Sequence, residues 1–78
     1  MSSSKELKDL LTKVYVEARP YIENAKKARR LLERAYDRCE DPECVIRFLE
    51  KAEREAETET ERTDMRILRD KLEGMLKS

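Results

Sequence analysis

The chain has 78 residues, the length of one small domain, since globular domains usually run ~100–150 residues and few divide at this size. Glu 13, Arg 10, Leu 9, Lys 8 and Ala 6 supply 46 of them, a helix-forming mixture, while one Gly, two Pro and four aromatics leave too few turn residues and β-formers for a sandwich, barrel or dinucleotide-binding sheet. Eighteen basic side chains balance eighteen acidic ones, so no global field draws in nucleic acid or an anionic membrane, and the absence of His removes the commonest proton shuttle and metal ligand.

The start, Met1-Ser2-Ser3-Ser4-Lys5-Glu6, lacks the basic and apolar regions of a signal peptide, and no window approaches the ~20 apolar residues of a membrane span. A soluble, non-exported chain is expected. Ser4 is placed to cap a first helix. From there Leu7, Leu11, Val14, Ala18, Tyr21, Ala25, Ala28, Leu32, Ala35 and Cys39 recur at alternating spacings of four and three, a heptad seam that predicts helix over 5–39. Leu10, Tyr15, Ile22, Leu31 and Tyr36 widen the seam, and Val16 is left on the outer face. Pro20 lies inside this pattern. It lacks an amide donor and clashes with the preceding turn, so the helix either kinks or ends there.

Asp41-Pro42-Glu43 reads as N-cap, first helical position and an acid at the positive helix end, opening a helix over 42–57 on Val45, Leu49, Ala52 and Ala56. Glu57 to Asp64 carries no apolar residue, and the seam of Met65, Leu68, Leu72 and Met75 resumes out of phase. A turn is therefore expected, capped by Thr58 or, in preference, Thr60, with a last helix over 61–77 and Gly74 marking a late cap or frayed end. The expected architecture is all-α: one small antiparallel helical bundle of three helices, or four short ones if the first breaks at Pro20.

Lys26 to Arg38 holds six basic residues against two acidic, and Glu53 to Glu61 five acidic against one basic; a hairpin about Asp41-Pro42 brings these runs side by side. Such a hairpin also sets Pro20 opposite Thr63. No aromatic or Gly-rich element interleaves with Lys26, Lys27, Arg29, Arg30 and Arg34, so these read as a solvated face and no nucleic-acid partner is expected.

Cys39 and Cys44 flank the turn. A disulfide between them is sterically compatible, as are two free thiols, whereas two thiolates without His or a second cysteine pair do not fill a metal shell. Carboxylates are plentiful but fall into ordinary i, i+4 pairs such as Asp9 with Lys13. Leu7-Lys8-Asp9-Leu10-Leu11 fits a Leu-x-x-Leu-Leu docking pattern, yet Leu7 and Leu11 belong to the seam. No catalytic, cofactor-binding or metal-ligating constellation is read, and no enzyme, cofactor or small-molecule substrate is expected.

The few residue types, the Ser-Ser-Ser start, the Asp-Pro-Glu helix opening and the dense Glu/Lys/Arg surface over a Leu/Ala seam resemble a computationally designed helical bundle, over the whole chain. The resemblance implies a structural scaffold with no natural catalytic activity. Pro20, the Thr-rich break and the outward Val16 depart from an idealised bundle, and such departures are expected where a function or borrowed backbone was imposed. The alternative is an engineered interaction module, presenting an epitope to an antibody or binding a target protein through Val14, Tyr15, Val16, Arg19 and Tyr21. A self-assembling oligomer is a further alternative, because Leu/Ala seams pair between chains as well as within one; a monomer is the favoured state and a homodimer the other.

Overall fold

The computed structural model describes the backbone of residues 2–77 and the side chains of residues 5–77. It is an all-α bundle of four helices: α1 (Ser2–Ala18), α2 (Ala25–Arg38), α3 (Pro42–Glu55) and α4 (Glu59–Lys77), with a 3₁₀ turn at Arg19–Tyr21 between the first two. The bundle measures 37 × 22 × 22 Å.

The expected helix over 5–39 is thus two helices, and the physical causes of the break are local and distant together. Pro20 sits at the start of the 3₁₀ turn, where its missing N–H is tolerated, and Ile22 is then fully extended at φ −102°, ψ 148°. Asn24 restarts the helix as N-cap: its side chain accepts from the Lys27 amide at 3.1 Å, and its carbonyl accepts from the Ala28 amide. The extended residues change the phase of the seam. Tyr21, expected in the core, is 64% exposed, and Ile22 is buried in its place. Six residues of non-α backbone between Ala18 and Ala25 account for this, because a heptad count assumes uninterrupted α-helix throughout.

The other helix ends obey side-chain chemistry more simply. Asp41 caps α3, accepting from the Cys44 amide at 2.8 Å, with Pro42 as the first helical residue and Glu43 in the first turn. α3 ends at Glu55, two residues before the expected 57. Thr58, not Thr60, caps α4: its hydroxyl accepts from the Glu61 amide at 3.1 Å, and its carbonyl from the Arg62 amide. Gly74 is neither a cap nor an end, since α4 runs on to Lys77 and no glycine has positive φ; an added Cβ there would meet nothing within 4 Å. α1 begins at Ser2, ahead of the expected cap Ser4, whose side chain lies outside the described residues.

α4 packs most extensively on α3 and next on α1, while α2 packs chiefly on α1 and meets α3 and α4 only sparingly. Leu49 and Val45 of α3, Leu68 and Leu72 of α4 and Val14 of α1 are fully buried at these contacts. Full burial of a Leu or Val contributes ~1.5–3 kcal/mol, so this inner layer supplies much of the drive to fold. The expected pairing of the basic run of α2 with the acidic run Glu53 to Glu61, from the end of α3 into α4, is realised by one ion pair among the described residues, Lys27 with Glu61. Glu53 turns instead to Arg69 of α4, at 2.9 Å, because α3 lies against α4 rather than along α2.

Candidate interaction face

Cys39 and Cys44 are joined by a disulfide, with their Cα atoms 5.5 Å apart. Cys39 ends α2, its amide donating to the Ala35 carbonyl at 2.9 Å, and Cys44 lies in the first turn of α3. The bridge therefore closes the Asp41-Pro42 turn covalently and takes both thiols out of chemistry. Among the described residues, no group of three or more His, Cys, Asp or Glu is placed to hold a metal ion, and no helix is long and apolar enough to cross a membrane.

Asp64 carries the main polar feature of the interior and is absent from the sequence expectations. It is the only buried charged residue among those described, at 2% exposure, yet it comes after three exposed or half-buried polar residues. Its Oδ1 accepts from the Glu23 amide and its Oδ2 from the Asn24 amide, both at 3.1 Å. These are backbone donors freed by the break at Pro20, and the two carboxyl oxygens of Asp64 satisfy one each. No buried side-chain nitrogen or oxygen among the described residues lacks a partner.

Beside Asp64, Lys27 and Glu61 pair at the surface. The hydrogen bond from the Lys27 ammonium holds the Glu61 carboxyl below its ordinary range; desolvation opposes this, while Coulombic attraction to Lys27 and a backbone hydrogen bond at Glu57 reinforce it. On α4, Arg69 bridges Glu53 of α3 and Glu73 one turn on.

The five residues expected to form one interaction face are divided by the fold. Val14 is fully buried and unavailable to any partner, because it lies on the heptad seam that packs α1 into the core. Tyr21 is exposed but turned towards α4, where the Lys71 ammonium lies 4.8 Å from its ring centroid. Arg19 is exposed in the 3₁₀ turn. Only Tyr15, half-buried, and Val16, 61% exposed, share a surface feature. It is a groove of about 710 Å³ between α1 and α2, with Leu11, Leu32 and Tyr36 as its apolar lining and Lys8, Thr12, Arg29, Glu33 and Asp37 around it. Thr12 turns its hydroxyl back onto the Lys8 carbonyl at 2.9 Å. The α2 residues of this groove were not expected in any face, although Arg29, Glu33 and Asp37 recur every four residues, the spacing of a helix ridge.

A small all-α bundle with a satisfied interior carboxylate and one apolar groove is thus the class that the fold and surface define. In comparisons with protein-family models, with curated proteins and with solved structures, the chain matches none.

Proposed function

We propose that this chain is a designed structural scaffold without natural catalytic activity, in which one chain completes its own core. The observation that supports this best is Asp64. The one buried carboxyl group among the described residues turns both oxygens onto backbone amides 40 and 41 residues away, a use in architecture. The capped starts of α2, α3 and α4 and the closed Cys39–Cys44 turn point the same way. Thermal unfolding of the oxidised chain, tracked by circular dichroism over a hundredfold dilution series, tests this reading. A cooperative, reversible transition whose midpoint persists at the lowest concentrations is expected; a chain that is unfolded when dilute would overturn it.

A second reading, an engineered module that binds an antibody or target protein, draws support from Val16, a large apolar side chain left in water beside Tyr15. Alanine at Val16 and at Arg19 should leave the unfolding midpoint within the noise of the wild type while removing capture of the partner.

A further inference from the structure

The short connection over residues 19–24 turns α2 back along α1, so the groove has two distinct ends. Val16 and Arg29 lie at the end near Pro20; Lys8 and Asp37 lie at the far end. Among the described residues, none of Lys8, Arg29 and Asp37 is engaged in an ion pair within the chain, although α4 collects several. The groove therefore presents an apolar floor with unmatched opposite charges, on a chain whose net charge is zero and which does not repel its own copies.

We infer that the α1–α2 groove is a self-complementary face that takes a second copy of this chain, forming a two-fold dimer. Its two-fold axis runs parallel to the helices, so that α1 of one copy lies on α2 of the other in antiparallel sense. This operation lays the ridge of Lys8, Thr12 and Val16 against the ridge of Asp37, Glu33 and Arg29 of the second copy, each ridge with a four-residue spacing. The Lys8 ammonium then meets the second copy's Asp37 carboxylate, and the second copy's Lys8 meets Asp37. Val16 packs along the aliphatic stem of Arg29, whose guanidinium falls level with the exposed Glu17. Tyr15 and Tyr36 line the groove in both copies, and tyrosine supplies large contact area with little side-chain entropy to lose. The inverse arrangement, with the axis across the helices, would place Glu33 against its own copy and is disfavoured by like charge. α2 has 14 residues and is roughly 21 Å long, so the buried face is below the standard size of a permanent interface and the dimer is a reversible one.

This inference goes beyond the scaffold reading, and one experiment separates the two. Sedimentation equilibrium of the whole oxidised chain from ~10 μM to ~1 mM is expected to give a reversible monomer–dimer equilibrium. Val16→Glu, which places an unpaired carboxylate in the groove, should weaken association at least ~tenfold. Lys8→Glu and Asp37→Lys should each weaken it about threefold to tenfold, and the double exchange K8E/D37K should recover most of the loss, since it restores the pair with its signs reversed. A monomer at every concentration, association that Val16→Glu leaves unchanged, a double exchange no better than the singles, or growth past the dimer would each overturn the inference. Circular dichroism at the lowest concentration reports on the scaffold reading alone: Val16 and the two charges are exposed, so every variant should remain folded there.

Discussion

Two prolines interrupt this bundle, and the chain handles them by different means. At Asp41-Pro42 everything needed lies within six residues: a cap, a proline at the first helical position, an acid in the first turn and a disulfide across the turn. At Pro20 the local sequence opens the helix, but the freed amides of Glu23 and Asn24 find their acceptors on Asp64, 41 and 40 residues on, and the restart is steadied by Lys27 reaching Glu61. A turn of the first kind can form early and alone. A break of the second kind has its amides satisfied by Asp64 only when α4 is docked, so those two hydrogen bonds report on the tertiary fold.

The largest effect that would break this contrast is at Asp64. Asp64→Ala removes the acceptor of two part-buried amide hydrogen bonds, each contributing ~0.5–1.5 kcal/mol net, and denaturant unfolding should show a loss of about 1–3 kcal/mol; a loss under ~0.5 kcal/mol would mean that the break is held by packing alone. Next is the disulfide. Reduction, or Cys39→Ala with Cys44→Ala, releases a very short loop and should lower stability by about 2 kcal/mol at most, while hydrogen exchange in the 19–24 segment at matched stability stays unchanged. The two caps, Asn24→Ala and Asp41→Ala, should each cost about 1 kcal/mol, and the contrast lies in how far each loss spreads: the first should loosen amides on α4 near Asp64, the second only those at the start of α3. The smallest effect is from acid. Glu61 is held below its ordinary range by Lys27, so its contribution is present above that range and fades as pH falls through the lowered value. An acid titration should therefore weaken the Pro20 region slightly as pH falls through that lowered value, and Glu61→Gln or added salt should erase this pH-dependent loss.

The parts of the fold coded by local chemistry were legible in the residues. The seam from Leu7 to Ala18 and again from Ala28 to Cys39 is buried where the period puts it, and Asp41 caps α3 as its position before Pro42 implies. Thr58 was legible too, since Thr58-x-x-Glu61 is the spacing of a capping box, but the restart of the seam at Met65 points to Thr60. Tyr21 and Ile22 exchanged places because a break of six residues resets the helical phase, which no periodicity carries across. Asp64 was hidden for a different reason: a carboxylate among Glu, Thr and Arg near a helix start looks like any solvated acid, and only the return of the chain past Pro20 buries it. Val14 could not serve both the seam and an outward face, and the seam prevailed because burial of a branched apolar side chain outweighs its exposure.

The extensive packing of α4 on α3 and α1 shapes the order of events during synthesis. This helix touches all three others and carries Asp64, yet it emerges from the ribosome after them. Until it does, α1 and α2 can bury their apolar stripes only against each other, and α3 has no extensive partner, since α2 and α3 meet sparingly. The core of the nascent chain is therefore closed last, when α4 arrives to cover α3 and α1.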